Sequence, residues 1–368
     1  MKISNTTVKG RKSWVIDNGN LSLGMHHGGG NIAAIHLNKG CKTNPLWAPV
    51  WKTIEPSAYS SKKHLPRYAN QLLASISGHN LCLGWFGDPS ESEAAAGMAC
   101  HGEAPVARWK LKRKQVGKQS VKLTVECELP EADMHFERTL SSRAGSHIVK
   151  VKERVTNTSR RDIPFTMCQH VTLGPPFLEK GVTLFDMPAI KGHTFKGVFG
   201  KPQRLKSDTA FTWPDGPGTK GETVDLRLYD KRYRVSSDFT TQLIDRKCDL
   251  AWFSAVNPRL GLLIAYAWDR KDFPWVGNWE ENYGRKEEPW AGKSLTRGME
   301  FANTPFPVGL RAAVDMGKFQ GEPTYQWLTA RETRTITYSI ILAPVDSDVT
   351  GVADIRPNKR GFDIDLAI

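Results

Sequence analysis

Apolar and polar residues alternate along most of this chain with a period of two. The segments with the clearest alternation are residues 121–129, 134–140, 148–156, 224–228, 251–256, 262–268 and 335–342. Because neighbouring side chains of a strand point to opposite faces of its sheet, each segment is predicted to be a β-strand with one buried face. Helical periodicity is weak, and only short helices near residues 66–73 and 91–98 are expected. The chain is therefore predicted to be mainly β.

The strand pattern continues over the whole length of the chain without a fixed repeat. No Ser/Gly-rich linker and no change of composition divides the 368 residues. This organisation favours one large antiparallel β-sandwich domain, residues 1–368, over a propeller or a pair of domains.

The chain carries a formal net charge of +13, which would attract anionic partners. Its densest basic segment is residues 110–122, where lysines occupy even positions and apolar residues the odd positions 121, 123 and 125. This parity predicts the solvated face of a hairpin that turns near Gly117. No zinc finger, basic helix or aromatic RNA-binding signature occurs, so no nucleic-acid partner is predicted. The same charge would suit an acidic or phosphorylated sugar.

Several other features limit the function classes. The N-terminus has no apolar segment of signal-peptide length and no window reaches a membrane span, so we expect a soluble cytoplasmic protein with no membrane partner. The six cysteines are scattered without metal spacing, and no metal site is predicted. Phosphate-binding and dinucleotide-binding glycine motifs are absent. The twelve tryptophans mildly favour carbohydrate, because indole rings stack on sugars, although most are expected in the core.

Two residues are candidates for acid–base chemistry. Glu300 lies between Met299 and Phe301, and an apolar setting raises the proton affinity of a carboxylate towards that of a general base. The alternative is a glutamate on the solvent face of a strand. His170 lies near a predicted strand end, beside a Gly-Pro-Pro segment, where an imidazole can act as acid or base. A histidine packed in the core is the alternative there.

A second group of polar residues could bind substrate. His101, Glu103 and Arg108 lie close together in sequence, and they would supply hydrogen-bond partners for sugar hydroxyls. A surface loop in which His101 caps a turn and Arg108 pairs with Glu103 explains them equally well. Four further carboxylates are interpreted as solvated residues of a polar loop: Glu280, Glu281, Glu287 and Glu288. One of them would replace Glu300 as the base if Glu300 faces away from His170.

Taken in order, several segments resemble the galactose mutarotase-like superfamily, which includes aldose 1-epimerases and hexose-phosphate epimerases. The segments are Gly28-Gly29-Gly30-Asn31-Ile32-Ala33-Ala34-Ile35, Asn44-Pro45-Leu46-Trp47, His101-Gly102 with Trp109 downstream, Gln169-His170, and Gly298-Met299-Glu300 followed by Pro305-Phe306-Pro307. The resemblance spans most of the chain. Two positions depart from the family pattern: Val171 to Pro176 replace the aromatic and Asn residues after the histidine, and Ala302 stands where Gln is common.

The resemblance implies the fold, a β-supersandwich, and a reaction that interconverts sugar anomers without a cofactor. It implies Glu300 as general base, His170 as general acid, and His101 as a ligand of the sugar ring. Arg108 would anchor hydroxyls or a carboxylate, and Trp275 or Trp279 would form a stacking wall. The same fold also serves in carbohydrate lyases, glycosidases and non-catalytic carbohydrate-binding proteins, which remain alternatives. For a pyranose to fit between acid and base, Glu300 and His170 should lie about 5 to 8 Å apart.

Overall fold

The computed structural model describes residues 1–368, and it consists mostly of antiparallel strands. In chain order the strands are β1 Lys2–Val8, β2 Arg11–Asp17, β3 Leu21–His26, β4 Ile32–Leu37, β5 His79–Gly84, β6 Lys110–Val116, β7 Ser120–Leu129, β8 Met134–Arg143, β9 Ile148–Asn157, β10 Ile163–Leu173, β11 Leu184–Asp186, β12 Ala189–Thr194, β13 Ala210–Thr212, β14 Asp215–Pro217, β15 Thr223–Asp225, β16 Ser236–Ile244, β17 Leu250–Asn257, β18 Leu262–Asp269, β19 Trp275–Asn282, β20 Leu295–Ala302, β21 Lys318–Phe319, β22 Glu322–Pro323, β23 Gln326–Leu328, β24 Thr333–Pro344, β25 Gly351–Asn358 and β26 Gly361–Ala367. The helices are short: α1 Ser61–His64, α2 Gln71–Ser75, α3 Glu91–Ala95, α4 Gly309–Met316 and a 3-10 turn at Pro56–Ala58.

Two large sheets contain most of the strands. The first sheet has twelve strands in the order β1-β2-β3-β4-β5-β10-β20-β19-β16-β12-β13, with β23 paired to β10. The second has eight strands in the order β11-β17-β18-β24-β9-β8-β7-β6. Every pairing in both sheets is antiparallel, and strands β5, β10, β20 and β19 lie side by side near the middle of the first sheet.

The sheets pack face to face around one large apolar core. Phe301 of β20 in the first sheet stacks on Trp268 of β18 in the second, with ring centroids 4.3 Å apart, and it also meets Tyr338 of β24 edge-on. These side chains belong to a continuous cluster of buried residues from both sheets. The mainly β class and the sandwich architecture predicted from alternation are therefore confirmed.

Most local predictions agree with this structure, and a few do not. The strands expected at residues 121–129, 134–140, 148–156, 251–256, 262–268 and 335–342 are all present as β7, β8, β9, β17, β18 and β24. The strand expected at residues 224–228 is reduced to the three-residue β15. Helix α4 was not anticipated from periodicity. No helix has the length and apolar character needed to cross a lipid bilayer.

The basic hairpin is β6 and β7, which turns at Gly117 as expected. Its lysines do not all share one face, because a bulge between Leu111 and Arg113 shifts the register. Lys112 faces outwards, where it contacts Glu126 and Glu137, whereas Lys114 reaches Asn5 of β1. A bulge adds one residue to a strand and so reverses the parity beyond it.

Candidate active site

His170 and Glu300 face each other directly across two neighbouring strands of the first sheet. The antiparallel register pairs His170 of β10 with Glu300 of β20, so both side chains leave the same face of the sheet. Their neighbours Val171, Met299 and Phe301 point the opposite way, into the core. The distance from His170 Nε2 to Glu300 Oε1 is 3.1 Å. The expected separation of 5 to 8 Å is therefore wrong, and a sugar ring cannot lie between the two groups.

The imidazole of His170 has a polar partner on each side. Its Nε2 contacts Glu300, and its Nδ1 lies 3.1 Å from the hydroxyl of Thr172, which occupies the same face two residues further along β10. Trp279 and His101 complete its surroundings, with ring centroids 5.9 Å and 5.3 Å from that of His170. The ring orientation is thus fixed by contacts on all sides.

His101 is held beside this pair by an unusual backbone conformation. Its φ of 64° lies in the left-handed region, which costs about 1 kcal/mol or more for a residue other than glycine. Two hydrogen bonds hold it there: His101 N–H donates to Gly87 O, and Gly87 N–H donates to His101 Nδ1, both at 3.0 Å. Since Nδ1 accepts a hydrogen bond, the ring proton of the neutral imidazole lies on Nε2. His101 is therefore oriented as a hydrogen-bond donor through Nε2.

Burial affects the protonation of the pair in opposite directions. Removal from water raises the pKa of Glu300 well above its usual range and lowers the pKa of His170 well below its usual range. Each shift favours the uncharged form of its group. With both groups uncharged, the proton of the pair lies on Glu300, which is the reverse of the ionised glutamate and protonated histidine required at the start of the expected mechanism.

The pair opens into a cavity of about 430 Å³ on the outer face of the first sheet. Its floor includes His170, Glu300, His101 and Trp279. The opposite wall comes from the segment 69–76, which contains α2, and from the loop that carries Phe195 and Phe199. The volume lies in the range of pockets that bind small molecules. None of the wall residues in these two segments was predicted, because neither segment contains a chemically reactive side chain.

One wall of the same cavity consists of aromatic rings and a guanidinium group. Arg285 lies over Trp290 and Trp279, with its Cζ atom 4.9 Å and 5.3 Å from the two ring centroids. Its Nε atom is 3.5 Å from a carboxylate oxygen of Glu281, so its charge is largely balanced from behind. The indole Nε1 of Trp279 has no hydrogen-bond partner in the protein. This wall therefore offers a flat apolar surface, and it contains one buried donor without a partner.

Of the predicted substrate-binding residues, His101 and Trp279 line the cavity and the other three do not. Glu103 accepts a hydrogen bond from the backbone of Ala132 at 2.9 Å, and Arg108 is exposed elsewhere. No salt bridge joins Glu103 to Arg108. Trp275 is fully buried and packs against Phe319. Placing Glu103, Arg108 and Trp275 in the cavity was wrong. Glu103 and Arg108 lie near His101 in sequence but point elsewhere, and Trp275 shares the face of Trp279 but is covered by Phe319.

The four substitute carboxylates also fall into two groups. Glu280 and Glu281 were expected in a solvated loop, but both are buried in β19. Glu280 contacts Arg204 and Arg297 on the inner side of the sheet, and the Oε1 atom of Glu281 accepts a backbone hydrogen bond from Gly284 at 2.6 Å. Glu287 and Glu288 are exposed at the cavity rim. No cluster of three or more His, Cys, Asp or Glu side chains is arranged to hold a metal ion.

The architecture is shared with several solved structures. A Klebsiella pneumoniae protein provisionally assigned as an aldose 1-epimerase superposes with a TM-score of 0.67 at 16% identity, covering 93% of this chain and 82% of its own. A galactose mutarotase-like protein of Clostridium acetobutylicum gives 0.62 at 13% identity, with 94% and 99% covered. A galactose mutarotase related enzyme of Lactobacillus acidophilus gives 0.57 at 12% identity, with 91% and 98% covered. The chain has the galactose mutarotase-like fold. No protein-family model matches the sequence, and no curated protein matches it.

Within this galactose mutarotase-like fold, the departure at Ala302 has a local explanation. Ala302 lies on the cavity side of β20, where it packs with Cys82, Cys168 and Phe86 in a small buried apolar cluster. A side chain as long as glutamine would not fit there without displacing that cluster. The structure near Ala302 therefore presents a closely packed apolar surface where a glutamine would place a hydrogen-bonding amide.

Proposed function

We propose that this protein is an aldose 1-epimerase-like isomerase that interconverts the anomers of a free monosaccharide. The observation that carries the proposal is the buried Glu300–His170 pair, 3.1 Å apart, on the floor of a cavity sized for one sugar and walled by Trp279. Solved structures with the same fold include proteins described as mutarotase-like. A sugar would lie over the pair, with its C1 hydroxyl and its ring oxygen each within reach of one of the two groups.

The chemistry needs only proton transfer. A proton would first move from Glu300 to His170. Glu300 would then accept the proton of the C1 hydroxyl while His170 donates its proton to the ring oxygen, and the bond between C1 and the ring oxygen breaks. Rotation about the C1–C2 bond and the reverse transfers then close the ring on the other face. After ring opening, Glu300 carries the proton and His170 is neutral, which is the state that burial favours. The pair holds one proton throughout, so no net proton is consumed.

The charges around the cavity favour a neutral sugar over an acidic or phosphorylated one. Asp88, Glu287 and Glu288 line the cavity, whereas its guanidinium, Arg285, is already paired with Glu281. An anionic group at the rim would meet these carboxylates, and like charges repel. The positive net charge, which suggested an anionic substrate, therefore does not describe the cavity.

A second candidate function is carbohydrate binding without catalysis. Its support is the direct contact between Glu300 and His170, because two groups that satisfy each other need not transfer protons to a ligand. The same aromatic wall would serve a binding protein equally well.

The deciding experiment is NMR exchange spectroscopy of anomer interconversion with neutral, uronic and phosphorylated monosaccharides. We expect acceleration with a neutral aldose, and a loss of about 100-fold or more in Glu300→Gln and His170→Asn. Arg108→Gln, which changes an exposed residue outside the cavity, should behave as wild type. Saturation-transfer signals from a sugar whose anomers do not exchange faster would identify a binding protein instead.

A further inference from the structure

A group of exposed cations lies on the outer face of the second sheet, on the opposite side of the core from the cavity. Alternate residues of β7, β8 and β9 point into the core, so their neighbours form this outer face. Several exposed cations lie here, and we name six of them the basic trough: Arg113, Lys122, Arg143, Lys150, Lys152 and Arg154.

The trough is a continuous depression. One shallow hollow of about 330 Å³ contains Lys122, Lys152 and Arg154, and another of about 470 Å³ contains Arg143 and Lys150. They adjoin, because Lys152 pairs with Thr139 in the first hollow and Lys150 pairs with Ser141 in the second, at successive outward positions of β8 and β9. Residues 148–154 of β9 run along its length, which corresponds to about 20 Å of extended strand.

The cations of the trough are not neutralised by the protein itself. The carboxylates on this face are Glu126, Glu128 and Glu137, and their ion pairs are with Lys112 and His135. Glu137 lines the first hollow as the register partner of Arg154, but its ion pair is with Lys112. No salt bridge involves any of the six trough cations. Unpaired, parallel cations repel each other, and an anionic ligand would relieve this repulsion.

Hydroxyl groups separate the cations in a regular way. Lys152 lies between Thr139 and Thr337 of the neighbouring strands, and Lys150 lies between Ser141 and Ser339. Along β9 the cations recur at every second residue, about 7 Å apart. A ligand that carries both repeated negative charges and hydroxyl groups would match this surface.

We propose that the basic trough binds a linear acidic polysaccharide along β9, independently of the reaction in the cavity. Single-stranded nucleic acid fits less well, because it binds proteins largely by stacking bases on aromatic rings, and Phe362 is the one aromatic side chain that lines the trough. A lipid surface fits less well because the trough is concave. An extended chain of acidic sugars carries both negative charges for the spaced cations and hydroxyl groups for the Ser and Thr side chains.

The test is fluorescence anisotropy with a labelled oligogalacturonate, at about 50 mM and about 200 mM salt. Labelled dextran, an oligothymidylate and phosphatidylserine vesicles are measured in parallel. The triple variant Lys150→Gln, Lys152→Gln and Arg154→Gln should bind the oligogalacturonate at least about tenfold more weakly and show a shallower salt dependence. All three residues are exposed, and thermal unfolding together with the three single variants separates a loss of binding from a loss of folding.

The matched control removes the same charge from exposed lysines outside the trough: Lys39→Gln, Lys42→Gln and Lys220→Gln. It should change the affinity by less than about twofold at the higher salt concentration, where long-range attraction is screened. The proposal is overturned if the control loses as much as the trough variant, or if the oligogalacturonate does not bind. It is equally overturned if dextran, the oligonucleotide or the vesicles bind more tightly. None of these outcomes depends on whether the cavity catalyses anomer exchange.

Discussion

Glu300 and His170 are direct register partners on β20 and β10, and their side chains touch through Oε1 and Nε2. Burial favours the uncharged form of each group, so the two buried groups hold one proton between them. A transfer from Glu300 to His170 and its reverse leave the number of protons in the site unchanged. The protonation state of the pair as a whole, more than that of either residue, should govern activity.

The dependence of the rate on pH follows from this sharing. Burial lowers the pKa of His170 and raises that of Glu300, so the state with one proton extends below the ordinary histidine value of about 6.5 and well above the ordinary glutamate value of about 4.3. We expect the acid limb of kcat/KM for anomer exchange, followed by polarimetry, to lie below pH 6.5. An acid limb centred at or above pH 6.5 would contradict the assignment.

Gly298 leaves room for the carboxylate of Glu300. A Cβ atom at position 298 would lie 2.3 Å from Glu300 Oε1, which is the mobile end of a side chain. Gly298→Ala should therefore rotate the carboxylate away from His170 and lower kcat by roughly 10- to 100-fold. Stability should change little. Gly117→Ala, in a hairpin turn with space for a methyl group, is the control and should leave kcat unchanged.

The two tryptophans of β19 provide a matched pair of variants. Trp279 borders the cavity, and Trp275 lies on the same side of the strand but is buried against Phe319. Either one replaced by leucine leaves a void and should lower the free energy of unfolding by roughly 3 kcal/mol. Only Trp279→Leu should also weaken sugar binding, by about tenfold, in NMR titrations. Equal loss of affinity in both variants would show that the wall has been misassigned.

Acid should destabilise the protein through buried histidines. Burial, reinforced by the charge of Arg138, lowers the pKa of His79 to about 3. Between that value and about 6.5 the unfolded chain binds a proton at this residue and the folded chain does not, so the free energy of unfolding falls as pH falls.

Urea unfolding at about pH 7.5 and about pH 4.5 tests this link. His79→Gln should show a smaller loss of stability on acidification than wild type, because the residue no longer titrates. His64→Gln, on the surface helix α1, is the comparison and should lose as much stability as wild type. A loss in His79→Gln as large as that of wild type would refute the link.

Much of the fold could be predicted because the alternation of apolar and polar residues indicates which side chains are buried. Val121, Leu123 and Val125 of β7 face the core as the pattern requires. Alternation also predicted that Met299 and Phe301 turn inwards. It did not predict that Glu300 faces a covered cavity instead of solvent, because the cover comes from residues 69–76, far away in the sequence.

Other contacts of the site join residues that are far apart in the sequence, and a local sequence pattern does not predict such contacts. Glu280 looks solvated in the sequence, yet Arg204 reaches it from a distant segment and allows its burial. Arg285 lies only four residues from Glu281, but the alternation pattern does not show that it pairs with that residue or lies over Trp279 and Trp290. His170 and Glu300 were identified by resemblance, whereas their 3.1 Å contact follows from the register of two strands that are more than a hundred residues apart in the sequence.

Strand β10 contributes side chains both to the cavity and to the core. His170 faces the cavity, and the adjacent Gln169 faces the core, where its amide donates to Glu153 at 2.6 Å and its carbonyl oxygen lies 2.9 Å from His79. An insertion or deletion of a single residue in β10 would exchange the two side chains between these environments. A change of length in β10 would thus disturb the cavity and the core together, whereas a single substitution there disturbs only the one that its side chain faces.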